Sequence, residues 1–185
     1  KLASFALSRR DPDYVPRARA TQALEKARRS GAIPPELQSV QKALSIPNMG
    51  RVQIGSVLFA NKPGDGSARE QAASCQRVLG GCANLCYEFA TKRYRSNCVN
   101  WGMLPFTLAE GTDFPGRPGD FLYVPQVREK VTRSDEEFPA LLLTDSGIHA
   151  LTLYLKNTTA EERELLLTGC LMNHYAAQNA AENRR

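Results

Sequence analysis

The segment Gly64-Asp65-Gly66-Ser67-Ala68-Arg69-Glu70 constrains this chain most, because it separates an apolar, β-rich run from a helical stretch. Upstream, Val52, Ile54, Val57, Leu58 and Phe59 suit a strand that ends at Asn61-Lys62-Pro63-Gly64. Downstream, residues 68–79 suit a helix, with Ser67 as the expected cap, Glu70 completing a capping box and Gly80-Gly81 as the stop. Such a strand, loop and helix start presents unpaired backbone N–H groups and the positive end of a helix dipole to whatever lies ahead. Anions bind in such places. The nucleotide loops do not fit: Arg69 takes the place of the third glycine of a dinucleotide loop, and no Gly-Lys-Ser/Thr triplet follows. A carboxylate could instead receive backbone hydrogen bonds and a charge-assisted bond from Arg69, and the same groups would stabilise an alkoxide at Ser67. A capping serine beside a surface arginine is the commoner origin of this spacing.

The pattern around that loop is strand, helix, strand, helix. Residues 82–89 read as a buried strand and residues 90–99 as a helix with Lys92, Arg93 and Arg95 outward. A β-rich region begins at Met103-Leu104-Pro105-Phe106, with strands expected at 121–124, 140–143 and 150–155 and a hairpin turn at Asp145-Ser146-Gly147. Residues 159–180 read as one helix capped by Thr158 or Thr159, with Leu165, Leu166, Cys170 and Leu171 inward. Before residue 50 the one clear signal is a helix at 17–30, ended by Gly31 and Pro34. The expected organisation is a partly helical arm over residues 1–49 and one domain over 50–185.

Composition bounds the function. With 185 residues, 42% hydrophobic and 23% charged, the chain has enough apolar side chain for one core. A net charge of +5, bunched at Arg9-Arg10, Lys26/Arg28/Arg29 and Lys92/Arg93/Arg95, suits an anionic ligand, with a solvated face favoured over an RNA surface. No run spans a membrane and no signal peptide opens the chain, so a cytoplasmic location is expected. The opening Lys1-Leu2-Ala3-Ser4-Phe5 reads as the middle of a longer protein. Four of the five cysteines lie between Cys75 and Cys98, without a CxxC pair or a ligand set at familiar spacing, and read as reduced, buried thiols. His149 and His174 lack metal-spaced partners and read as structural, and Trp101 is expected to pack beneath the Gly102 turn.

The run from Asp65 to Ala73, then Leu79-Gly80-Gly81, Phe89-Ala90, Asn97 and Gly102-Met103-Leu104-Pro105, resembles the aconitases. In them Gly-Ser-Ser-Arg-Glu-His-Ala-Ala precedes a Leu-Gly-Gly turn, a Ser-Phe-Ala segment and an Asn followed by Gly-Leu/Met-Leu-Pro. The resemblance is strongest in this run and extends over residues 50–180. The chain resembles in particular the uncharacterised aconitase-like hydratases of bacteria, which share the Gly-Ser-Ala-Arg-Glu-Gln variant and the Lys92-to-Asn97 stretch.

The resemblance implies an α/β fold, a swivelling β/β/α domain with a mixed sheet and flanking helices, of the aconitase C-terminal or isopropylmalate dehydratase small-subunit type. It implies the C-terminal domain of an iron–sulfur hydratase or dehydratase acting on a hydroxy polycarboxylic acid, with Ser67 as base and Arg69, Gly66 and Ala68 at the substrate. It places the [4Fe–4S] cluster on other domains of the same protein, with no metal in this chain, so the partners are those domains and a carboxylic acid. The isolated chain is then expected to be inactive. Ala68 departs from the family by replacing a serine that donates to the substrate carboxylate, a loss of about 1 to 3 kcal/mol if its partner stays buried. Gln71 replaces a common histidine and is expected to be structural. The alternative is a non-catalytic carboxylate- or RNA-binding module on the same fold.

Overall fold

The computed structural model describes residues 2–182; Lys1 and residues 183–185, the outer ends of the arm and domain assigned above, lie outside the described residues. After a 3-10 turn at Leu2–Phe5 come two helices, α1 (Tyr14–Arg29) and α2 (Pro35–Ala43). Pro34 was expected only to end the preceding helix, yet it serves as the N-cap of α2, with Pro35 in the first turn, where a missing N–H is not needed.

Two parallel crossovers follow, β1 (Ser56–Phe59), α3 (Arg69–Val78), β2 (Gly81–Cys86), α4 (Lys92–Asn100) and β3 (Leu104–Thr107). The chain then continues as β4 (Phe121–Tyr123), α5 (Val127–Arg133), β5 (Glu137–Thr144), β6 (Gly147–Tyr154), α6 (Ala160–Thr168) and α7 (Leu171–Glu182). One mixed sheet results, ordered β1-β2-β3-β6-β5-β4, with β5 and β6 joined through Asp145-Ser146 and paired from Thr144 opposite Gly147 to Glu137 opposite Tyr154. The α/β class and the mixed sheet expected from the sequence are the ones observed.

The expected single tail helix is two helices. Gly169 adopts φ +96° as the C-cap of α6, a left-handed conformation that ends an α-helix. The start of α6 is as expected: Thr159 Oγ1 accepts from the Glu162 N–H and the Glu162 carboxylate accepts from the Thr159 N–H, both at 3.1 Å. Glu162 also receives Arg95 Nη1 of α4 at 2.9 Å, which fastens the tail to the first half of the fold.

Alternation along β5 divides the core. Phe138 and Ala140 face a cluster with Leu85, Phe106, Val131 and Leu153, while Leu141 and Leu143 pack with Leu37, Val40 and Leu44 of the N-terminal helices. Glu25 of α1 holds this second layer in place. Its carboxylate accepts from Arg28 Nε at 2.7 Å, Arg29 Nε at 2.8 Å and the Ile54 backbone N–H at 3.0 Å. Burial alone would raise its pKa, but these donors overcome that effect and hold it at about 2.

Under the first crossovers lies a closed ring of buried polar groups. Gln76 Nε2 of α3 donates to the Tyr94 hydroxyl of α4 at 2.7 Å, that hydroxyl donates to Asn84 Oδ1 of β2 at 3.1 Å, and Asn84 Nδ2 donates to Gln76 Oε1 at 2.9 Å. The three residues are 5%, 3% and 0% exposed, so each group depends on the other two. Burial raises the Tyr94 pKa, which keeps the phenol protonated and able to donate.

Two tests follow from this packing. Tyr94→Phe leaves both amides short of a partner and is expected to cost about 1 to 3 kcal/mol in urea unfolding. For Glu25, depressed from its usual 4.5 to about 2, the stabilisation is complete above pH 4.5 and is lost as pH falls toward 2. The difference in unfolding free energy between the native chain and Glu25→Gln is therefore expected to be flat above pH 4.5 and to shrink below it; a constant difference across that window would refute the assignment.

Candidate functional site

The glycine loop is held from below by a single carbonyl. Gly64 O accepts from Arg69 Nε and from Thr91 Oγ1, each at 2.9 Å, and Arg69 Nη2 adds a bond to Asp65 O at 3.3 Å. Thr91 is in turn the N-cap of α4, accepting from the Tyr94 N–H at 3.3 Å. Gly64 has φ +97°, and a Cβ there would lie 2.4 Å from Cβ of Tyr94. A side chain at this position has neither the conformation nor the room.

Ser67 does not cap α3, contrary to the expectation above. Ala68 occupies the N-cap position without a side-chain bond and the helix begins at Arg69, because the fold of Arg69 back onto Gly64 and Asp65 tightens the turn by one residue. Glu70, expected to complete the capping box, is engaged elsewhere. Its carboxylate accepts from Trp101 Nε1 and, with the Asn97 amide in the orientation that satisfies both its atoms, from Asn97 Nδ2 at 3.1 Å. Asn97 Oδ1 then accepts from the Glu70 N–H at 3.0 Å, so α4 supplies the cap that Ala68 lacks. Trp101 packs partly against the Ala73, Tyr94, Cys98 and Met103 cluster while its N–H makes this bond.

Ser67 is exposed, and among the described residues its hydroxyl has no hydrogen-bond partner. It lines an open recess of about 380 Å³ together with Arg69, Glu70, Lys92, Arg93, Ser96 and Asn97. Ser67 and Arg69 are thus brought together as the sequence reading requires. Gly66 has open space where a Cβ would stand, and both Gly66 and Ala68 are exposed beside the recess-lining Ser67. Lys92, Arg93 and Ser96 were not expected at the site. The available signal was Thr91, whose capping role puts the next two residues in the first turn of α4, beside the loop.

Of the basic residues considered for RNA, Arg28 is committed to Glu25 and to the carbonyls of Met49 and Gly50 at 3.3 and 3.2 Å. The thiols do not resemble cluster ligands. Cys86 and Cys98 are buried, and burial pushes each up to about 12, far from the thiolate that iron requires. Among the described residues no three His, Cys, Asp or Glu side chains are grouped to hold a metal. His149 Nε2 lies 3.1 Å from Ser146 Oγ and 3.2 Å from Thr144 Oγ1 at the hairpin tip, and His174 is buried 3.6 Å from Glu164. No helix among the described residues is long and apolar enough to cross a membrane.

Residues 38–111, which include the loop, α3, β2, α4 and β3, match the aconitase C-terminal domain family. Over these residues the chain is similar to aconitase C-terminal domains. Aconitate hydratase A of Bradyrhizobium diazoefficiens is 30% identical over 141 residues, covering 70% of this chain and 14% of that enzyme. The chain therefore spans about one seventh of the length of this curated relative. The 3-isopropylmalate dehydratase (leuD) of Methanocaldococcus jannaschii shares the fold, with a TM-score of 0.50, 23% identity and coverage of 89% of this chain and 90% of that one. The matched residues contain both the loop and the ring of buried polar groups beneath it.

The seating of Gly64 on Tyr94 can be tested directly. Gly64→Ala forces both a left-handed alanine and a steric clash, and is expected to lose about 2 kcal/mol or more. The Arg69 Nε–H resonance is expected to lose the signature of its bond to Gly64 O in the same variant, while a resonance that stays in place would show that the loop does not depend on this contact.

Proposed function

We propose that this domain supplies the proton-abstracting base and a carboxylate clamp to a hydro-lyase that dehydrates and rehydrates a hydroxy carboxylic acid. The observation that carries the reading is that Ser67 and Arg69 share one open recess at the start of α3, within the residues similar to aconitase C-terminal domains.

On this reading Arg69 holds a substrate carboxylate. Its Nε and Nη2 are engaged with Gly64 O and Asp65 O, so the guanidinium is fixed in direction, while Nη1 has no acceptor among the described residues and is free to donate outward. The clamp sets the carbon next to that carboxylate opposite Ser67 Oγ. Ser67 removes the proton from this carbon as an alkoxide, which the positive end of α3 and the neighbouring guanidinium stabilise in a recess free of competing hydrogen bonds to Oγ. The missing side chain of Gly66 leaves room for the ligand, and Ala68 withholds the hydroxyl that a serine would offer to the carboxylate.

The [4Fe–4S] cluster implied by the resemblance would be held by domains outside this chain, where it would act as a Lewis acid toward the leaving hydroxyl. The residues described here do not fit it. The partners on this reading are those domains and the carboxylic acid, and the activity belongs to the assembled protein rather than to this domain alone.

The test is turnover of tricarboxylic and 2-alkyl hydroxy acids by the full-length protein after anaerobic cluster reconstitution, with and without Ser67→Ala. Loss of a base is expected to lower kcat by about a hundredfold or more with the cluster spectrum unchanged. Undiminished turnover in the variant would remove Ser67 from the chemistry.

A further inference from the structure

Three cations line the recess of the candidate site, and the function proposed above uses only Arg69. Lys92 and Arg93 occupy the first turn of α4, a helix with no acidic residue in that turn. Cations there oppose the helix dipole where acids would favour it, so the fold gains nothing from this placement. The neighbouring Arg95 behaves differently. It is bound to Glu162 at 2.9 Å and to the carbonyls of Lys156 and Asn157, a structural role that neither Lys92 nor Arg93 shares. Both are exposed and, among the described residues, neither has an ion-pair partner.

The acid nearest to hand offsets only part of their charge and forms an ion pair with neither. Glu70 also lines the recess, but its carboxylate is taken by Trp101 and Asn97. The backbone that carries Lys92 and Arg93 is tied to the same carbonyl as Arg69, because Thr91, which precedes them, and Arg69 both donate to Gly64 O at 2.9 Å. The recess thus holds three cations on two walls against the single carboxylate of Glu70.

We propose that Lys92 and Arg93 form a second anion subsite, which receives a further carboxylate of the same ligand whose first carboxylate Arg69 holds. The inference rests on the reading of Arg69 given above. It makes this pair the feature that selects ligands with two or more carboxylates over those with one, and it explains cations placed where they weaken a helix.

The experiment is titration of the 185-residue chain with propane-1,2,3-tricarboxylate and with 2-hydroxybutyrate, followed by calorimetry and by amide resonances of residues 64–70 and 91–97. Four proteins are compared: the native chain, Lys92→Gln/Arg93→Gln, Arg69→Gln, and Arg9→Gln/Arg10→Gln as a control for net charge. The Lys92/Arg93 double variant is expected to bind the tricarboxylate about tenfold more weakly, the loss carried by one charge-assisted hydrogen bond, with 2-hydroxybutyrate unaffected. Its unliganded thermal stability is expected to equal or exceed that of the native chain, which separates loss of the subsite from loss of the fold. Equal weakening for both ligands, or the same weakening in the Arg9/Arg10 control, would show long-range charge and overturn the subsite. Tricarboxylate binding that depends on Arg69 but not on Lys92 and Arg93 overturns the subsite and leaves the Arg69 reading standing. Binding indifferent to Arg69 overturns both. If the tricarboxylate does not bind the native chain at all, the subsite falls, and Ser67 is then judged by turnover of the full-length protein alone.

Discussion

The site depends on the hydrogen-bonded ring of Gln76, Asn84 and Tyr94. Each member comes from a different element, α3, β2 and α4, and each is buried, so the three elements can pack only in the arrangement that closes the ring. Tyr94 has a second duty, because its Cβ and ring form the surface on which Gly64 rests. The same side chain therefore fixes the helix that carries Lys92 and Arg93 and the loop that carries Ser67. Hydrophobic contact alone would tolerate small slides of α3 against α4. A closed polar ring in a low-dielectric interior does not, since each ångström of slip would expose an unsatisfied amide or phenol.

The rest of the chain braces that assembly from outside. Glu25 joins α1 to the Ile54 N–H just before β1, and Arg28 extends the joint to the carbonyls of Met49 and Gly50. Arg95 joins α4 to the turn before α6. In both places an arginine answers backbone carbonyls and a carboxylate at once, so the connection is directional. These arginines sit in runs of basic residues that look alike in sequence, Lys26/Arg28/Arg29 and Lys92/Arg93/Arg95, yet Arg28 and Arg29 in the first and Arg95 in the second make ion pairs, while Lys26, Lys92 and Arg93 are exposed.

That division shows why the fold was more legible than the site. The strand and helix sequence through β3 follows from apolar runs broken by glycine pairs, and these signals are local. α2 was hidden because Pro34 and Pro35 can stop one helix or start another, and only the packing of Leu37 and Val40 against the sheet decides which. The tail was read as continuous because residues on both sides of Gly169 favour helix; the break lies in the backbone conformation of one residue. At the site, Ser67 and Arg69 stood out through the resemblance to aconitases, since their spacing alone suits a capping serine beside a surface arginine. Glu70 was misread, since its partners Trp101 and Asn97 arrive from another helix, and Lys92 and Arg93 were taken as solvated because their nearness to Arg69 exists only after α3 and α4 are folded together.

The same geometry gives the recess more positive than negative side chains, Arg69, Lys92 and Arg93 against Glu70. Arg69 stands at the first position of α3, Lys92 and Arg93 at the first two of α4, and the positive ends of both helices open on one recess. Ala68 adds no capping oxygen, and the cap that Asn97 supplies reaches only the Glu70 N–H. Each of these choices weakens a helix terminus, whereas a serine, an aspartate or a glutamate at the same places would strengthen it. A fold that already depends on a buried polar ring can carry such a recess because the rigidity comes from below the loop, and the helix ends need not supply it. The caps that the chain does supply, Thr91 on α4 and Asn97 on α3, each reach one backbone N–H, so the cations at both helix starts face the recess against the helix dipoles.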